Sequence, residues 1–277
     1  MRFTQVERDE LLGAEPWLLP YVRSYLGAEE FLKHTPRYCL WLLAVPPALL
    51  ARSPRVLHRL DEVRRFRLAS KAQSTRRFAE TPGIFCQVAQ PDTEYLLVPL
   101  HTSESRRFIP VGYMPSSVIA SNACGLVPDA SLFHFGTIQS SMHNAWVRYT
   151  CGRLESRYRY SKDIVYNNFP WPESPTDAQR AAIESAAQAV LDTRAQFPGA
   201  TLADLYDPLT MPPALLKAHQ KLDAAVDAAY GRKGFKTDAE RVAFLFEQYR
   251  RITSLLPAEA AKPKRRAKAA RQAAGGG

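Results

Sequence analysis

Apolar residues change their spacing several times along this chain, and each change marks a different kind of element. Residues 1–45 alternate short apolar groups with Pro16, Pro20 and Pro36. That punctuation predicts brief helices and a strand, with a short helix over residues 27–33. Residues 47–80 read as helical, with Leu49, Leu50, Val56, Leu57, Leu60, Val63 and Phe66 as the positions expected to be buried. From Ile84 to Ile138 the pattern turns strand-like, with β-type runs at residues 84–88, 95–99 and 108–111 separated by turn residues. A helix follows, with Ser140 or Ser141 at its N-cap and Met142, Ala145, Trp146 and Tyr149 along one face. Gly152 is its natural stop. The period then falls to two: Arg153, Glu155, Arg157 and Arg159 alternate with Leu154, Ser156, Tyr158 and Tyr160. A strand over these residues would place three arginines and one glutamate on a single face.

Beyond Pro172 the helical period returns. Thr176 and Gln179 make a capping box ahead of Ile183, Ala187, Val190 and Leu191. The chain breaks at residues 197–199. A second helix opens at Met211-Pro212-Pro213, carries Leu215, Leu216, His219, Leu222 and Val226, and ends at Gly231. Thr237 and Glu240 form another capping box before Val242, Leu245, Phe246 and Tyr249. Three such helices predict a small bundle. After Pro257 the Ala/Lys/Arg/Gly composition predicts a disordered basic tail. The expected architecture is therefore α+β: a mixed domain of short strands and helices over 1–172, a helical domain over 173–257, and the tail over 258–277.

Charge changes this picture by pointing to a polyanion. The chain of 277 residues carries a net charge of +10. The excess is placed locally: residues 52–77 hold nine Lys/Arg against Asp61 and Glu62, and residues 261–277 hold six with no acid. Arg64, Arg65, Arg67, Lys71, Arg76 and Arg77 are candidates for phosphate contact, which positions a protein on a duplex without reading it. Arg106 and Arg107 in S-E-S-R-R-F reach DNA or pair with Glu104. Cys39, Cys86, Cys124 and Cys151 lie far apart with no zinc-like spacing, which predicts reduced thiols in a cytoplasmic protein. The apolar run at residues 38–50 is broken by Pro46 and Pro47 and is too short for a bilayer, so no membrane partner is expected.

The alternating stretch has its own chemistry. Arginine donates twice to guanine O6 and N7, and glutamate accepts from cytosine N4. Glu155 and Arg157, side by side, suit the two halves of a C·G pair. The same spacing equally suits an exposed, self-neutralising ion pair.

Several motifs in order give this stretch a resemblance. They are S-M-H-N-A-W at 141–146, C-G-R-L at 151–154, Y-R-Y-S at 158–161 and V-Y-N-N-F-P-W-P at 165–172. Upstream, R-Y-C-L-W-L at 37–42 and S-E-S-R-R-F-I-P at 103–110 join them, and L-A-D-L-Y-D-P-L-T-M-P-P at 202–213 follows. Together they resemble the target-recognition and C-terminal parts of the MmeI-like family. Those are single-chain restriction–modification enzymes and related N6-adenine DNA methyltransferases. The resemblance implies a chain that recognises double-stranded DNA, with Glu155 and Arg157 as a base-reading pair that varies with the target. It implies Arg64, Arg65, Lys71, Arg76, Arg77, Arg106, Arg107, Arg153 and Arg159 at the DNA backbone or groove. It implies S-adenosylmethionine as the cofactor of a catalytic domain or subunit that is not in this chain.

Catalytic motifs do not accompany the resemblance. There is no glycine loop for S-adenosylmethionine and no N-P-P-aromatic motif to hold a flipped adenine. Asn167-Asn168-Phe169-Pro170 lacks the consecutive prolines. No P-loop, G-x-S-x-G or H-E-x-x-H occurs. His143 reads as a packing or hydrogen-bonding residue of its helix. A stand-alone basic module that docks a protein through its helical region is the alternative, and a small independent enzyme is the remotest reading.

Overall fold

A computed structural model describes residues 1–254. The basic tail expected at 258–277 lies outside the described residues. The chain opens with β1 (Arg2–Phe3) and α1 (Gln5–Ala14), where Thr4 and Glu7 form a reciprocal capping box. A 3₁₀ segment leads to β2 (Val22–Leu26), α2 (Ala28–Lys33) and β3 (Tyr38–Leu40). Three helices follow: the apolar α3 (Pro47–Leu50) and the basic α4 (Pro54–Leu68) and α5 (Gln73–Arg77). Ser53 caps α4 by accepting from the Val56 N–H at 2.9 Å, and Pro54 fills the first helical position.

The inner stripe of α4 runs Val56, Leu60, Val63, Arg67, a helical spacing that leaves Leu57 and Phe66 outside it. Phe66 is accordingly 76 % exposed and Leu57 44 % exposed, against the burial expected from their apolarity, while Arg67 is buried. Val56 packs with Phe3, Leu11, Leu18, Leu40, Leu42 and Val45 in a core of its own.

A second set of strands comprises β4 (Tyr95–Pro99), β5 (His101–Thr102), β6 (Gly112–Met114), β7 (Ile119–Ala120) and β8 (Cys124–Pro128). β4 lies between β6 and β8 in an antiparallel sheet, and β7 joins β2 in parallel. Two expected strands are absent. Residues 84–88 run irregularly, with Phe85 stacked on Tyr25 at 6.0 Å. Residues 108–111 are buried but unladdered, because Pro110 has no N–H to give. Side chains replace the ladder: Asn144 Oδ1 accepts from Ile109 N–H at 2.8 Å, and Gln139 donates to the Ile109 carbonyl at 3.0 Å.

α6 (Leu132–Gln139) and α7 (Ser141–Thr150) follow, then β9 (Gly152–Leu154) and β10 (Arg157–Arg159). The C-terminal helices are α8 (Asp177–Ala195), α9 (Leu202–Leu205), α10 (Pro213–Ala229) and α11 (Asp238–Ser254). The Thr176–Gln179 capping box forms as expected, and Ile183, Ala187, Val190, Leu215, Leu222 and Val226 are buried. The three long helices do not close on themselves. α8 and α10 pack together against α6, while α11 packs on α7 and is tied to α10 by Arg241 and Asp227 at 3.1 Å. Leu96, Phe108, Met142, Ile183, Leu222 and Leu245 therefore belong to one core that runs through both parts of the chain. At Gly136 of α6 there is no room for a side chain: a Cβ there would stand 2.8 Å from Ile183 Cγ2.

Candidate nucleic-acid interface

α7 delivers the chain directly to the charged stretch, and a hairpin replaces the single strand expected across residues 153–159. β9 and β10 are antiparallel, with Arg157 opposite Leu154, Tyr158 opposite Arg153 and Arg159 opposite Gly152. Glu155 and Ser156 are the turn. Glu155 takes φ 57°, the positive value that the first position of a type II′ turn requires. The reversal redistributes the charges, because opposite residues share a face. Arg153 lies on the Tyr158 side, its guanidinium 4.5 Å from that ring, and Arg157 and Arg159 lie on the other.

The Glu155–Arg157 pair forms all the same. Arg157 Nη2 donates to Glu155 Oε2 at 2.6 Å, with both side chains more than half exposed. The turn brings them together, one at the apex and one just past it. Arg153 Nη1 also donates to the Ser156 carbonyl at 3.0 Å, which stiffens the apex from beneath.

The base of the hairpin is braced on β5, through Tyr158 opposite Thr102 and Arg159 opposite His101. This two-residue strand was not anticipated, since nothing in His101–Thr102 marks a strand by itself. Residues 103–107 follow it as a turn and bend. Arg106 is half-buried, its Nη1 3.5 Å from Thr102 Oγ1, and burial lowers its pKa. Arg107 is exposed, its guanidinium 5.3 Å from the Phe108 ring. Neither forms an ion pair with Glu104 among the described residues.

The basic helices stand on the other core cluster. Arg64, Lys71 and Arg77 are exposed. Arg65 pairs with Asp61 one turn back, and Arg76 donates to the carbonyls of Ser70 and Lys71 at 2.8 and 2.9 Å while staying exposed. Arg67 departs from its expected phosphate contact. Its guanidinium turns inward and donates to the carbonyls of Phe78, Thr81 and Ile84 at 2.7, 2.9 and 2.7 Å. It serves the fold by pinning the segment after α5.

The family model described as MmeI, target recognition domain, matches residues 1–173. The one described as MmeI, C-terminal domain, matches residues 175–257. The chain belongs to the MmeI family. It is similar to DNA methyltransferase A of Bacillus subtilis (strain 168), with 36 % identity over 251 residues that cover 91 % of this chain and 28 % of that protein. It is similar to the solved structure of the Type IIL restriction-modification enzyme MmeI in complex with DNA, at 49 % identity and a TM-score of 0.89, over 92 % of this chain and 34 % of that one. The chain thus spans about a third or less of these relatives.

In this MmeI-family chain the hairpin lies inside the stretch matched as target recognition domain, and α8–α11 lie in the stretch matched as C-terminal domain. His143 of α7 fits the packing role expected of it. It is buried, shares a 2.9 Å hydrogen bond with the Tyr160 hydroxyl, and meets Phe169 edge-on at 4.6 Å. Burial pushes its pKa down to about 3, so it stays neutral at neutral pH. Among the described residues no helix is long and apolar enough to cross a membrane.

Proposed function

We propose that this MmeI-family chain reads the sequence of double-stranded DNA for an N6-adenine methyltransferase of a restriction–modification or phage-defence system, acting in the cytoplasm. Residues 1–172 do the reading and 173–257 support them. The observation that carries this is the exposed Glu155–Arg157 pair at the apex of a braced hairpin. The apex enters the major groove. Arg157 donates to guanine O6 and N7 while Glu155 accepts from the cytosine N4 amine of the same pair. Arg153, Arg159, Arg106 and Arg107 lie at or beside the groove, and Arg64, Arg65, Lys71, Arg76 and Arg77 neutralise phosphates.

S-adenosylmethionine belongs to the catalytic partner in this reading. A groove between α1 and α4 is lined by Glu7, Glu10 and Leu11 on one side and by Pro54, Arg55, His58, Arg59 and Glu62 on the other. Docking of a protein through the apolar stripes of α8 and α10 is the weaker reading, because those stripes are already buried.

Selection of bound duplexes from a randomised pool, at moderate and raised salt, tests the proposal. A motif with one position fixed as C·G is expected. The double variant Glu155→Lys with Arg157→Asp is expected to change that position and leave the fold intact. Selection of the parental sequence by the double variant would refute the base-reading role.

A further inference from the structure

The segment that carries Arg107 joins no sheet, and side chains from the helices hold it in place. The Phe108 ring is buried and stacks on His219 of α10 at 4.1 Å. Ile109 gives its N–H to Asn144 of α7 at 2.8 Å, and the Val111 carbonyl accepts from Arg194 of α8 at 2.8 Å. At the exposed edge of the segment, the Arg107 carbonyl accepts from Nη2 of Arg148. Nη1 of the same guanidinium donates to Asp238 Oδ2 at 2.6 Å. Arg148 lies in the last turn of α7, one turn before the hairpin begins at Gly152, and Asp238 is the first residue of α11. One arginine therefore ties together the helix that leads into the hairpin, the bend that carries Arg107, and the C-terminal helices.

We propose that Arg148 is a positioning residue for DNA binding, which fixes the Arg107 backbone against the end of α7 and is itself aimed by Asp238. This rests on the placement of Arg107 at DNA proposed above. An exposed arginine on an unladdered bend has both a loose backbone and a long side chain to order when it meets a phosphate. A guanidinium that spans a carboxylate and a backbone carbonyl orders the backbone before DNA arrives. Arg148 commits both terminal nitrogens within the protein, and its side chain is only 20 % exposed, so it serves the interface from behind. Asp238 suits its place on two counts: it completes the fork, and it sits at the positive end of the α11 dipole. α11 thereby takes part in DNA binding without a contact of its own.

Salt titrations of binding to random-sequence duplex test this role. Arg107→Ala is expected to flatten the slope of log K against log salt by roughly 0.9, the loss of one phosphate contact. Arg148→Met removes both anchors of the fork, and Arg107→Ala is then expected to add nothing further to the slope. Additive effects would mean that Arg148 meets phosphate by itself, and would overturn the proposal. Asp238→Ala gives a second test at a side chain that is 40 % exposed, where the fold is expected to survive. By charge alone, losing a carboxylate strengthens binding to DNA. Positioning requires the opposite sign: roughly two- to threefold weaker binding, recovered in Asp238→Glu. Unchanged or tighter binding by Asp238→Ala overturns the proposal. If Arg107→Ala leaves the parental slope as it was, Arg107 is not at DNA and the proposal falls, while the C·G preference is still judged by its own selection. A parent chain that prefers no sequence defeats the base-reading proposal alone, since the slope reports phosphate contact on any duplex.

Discussion

Asp223 of α10 caps α7 by accepting from both the backbone N–H and the hydroxyl of Ser141, each at 2.6 Å. Both residues are buried, and α7 is the helix that leads into the β9–β10 hairpin. A carboxylate at a helix N-terminus also meets the positive end of the helix dipole. Asp223→Ala leaves two buried donors without partners and is expected to cost about 2–4 kcal/mol of stability. Asp223→Asn, which retains one acceptor, costs less. Urea unfolding of the parent and both variants gives the order directly.

Glu155 occupies left-handed backbone at the apex, where a non-glycine residue is disfavoured by roughly 1–2 kcal/mol. Glu155→Gly is therefore expected to hold or raise stability by about 0.5–1 kcal/mol while abolishing preference at the C·G position. Thermal unfolding beside duplex selection checks it. A loss of stability would show that the ion pair with Arg157 outweighs the backbone strain.

Arg64 and Arg67 lie one turn apart on α4 and are expected to behave in opposite ways. Arg67→Met orphans three carbonyls and is expected to lose about 3 kcal/mol, because a buried guanidinium is fully committed to them. Arg64→Ala should change stability by less than about 0.5 kcal/mol and flatten the salt dependence of DNA binding by roughly 0.9 in slope. Denaturant midpoints and salt titrations distinguish the two.

Acid sensitivity follows from two buried histidines. His143 keeps its proton off down to about 3, and burial lowers His219 well below its ordinary 6.5. Below pH 6.5 the unfolded chain binds protons that the folded chain refuses, so stability falls as the pH falls toward 3. At about pH 5 the loss is roughly 2 kcal/mol for His143, and His219 shifts stability in the same direction. Asp223 and Asp227 act the other way: burial raises both above 3.8, so their contribution is full below that value and is lost as pH rises through their folded pKa. Denaturant unfolding at neutral and acidic pH is expected to show the histidine loss, with a shallower pH slope in His143→Gln.

The helices and their caps were legible because the residues that make them are local. Thr176 with Gln179, and the stripe from Leu215 to Val226, need only neighbours within a turn or two. The hairpin was hidden because its turn is Glu-Ser, with no glycine, asparagine or proline to interrupt the alternation. A continuous strand and a two-residue hairpin then show the same period of two. The Glu155–Arg157 pairing was nevertheless found, since either geometry brings the two together. Arg67 was misread because its partners are carbonyls 11 to 17 residues further on, which carry no side-chain signature. Residues 108–111 have strand composition, yet the acceptor that ties Ile109 in place is Asn144, from a helix far along the chain.

The shared interior has a consequence for anyone exchanging specificities between relatives. A transplant cut at residue 172 would expose Phe135, Ile138 and Met142 where they now meet α8 and α10, and would strip Ser141 of its carboxylate. The unit that can be moved intact is the recognition segment together with its helices. A smaller edit is confined to the apex, where Glu155 and Arg157 touch solvent and the interior is left alone. New lettering there needs no new frame.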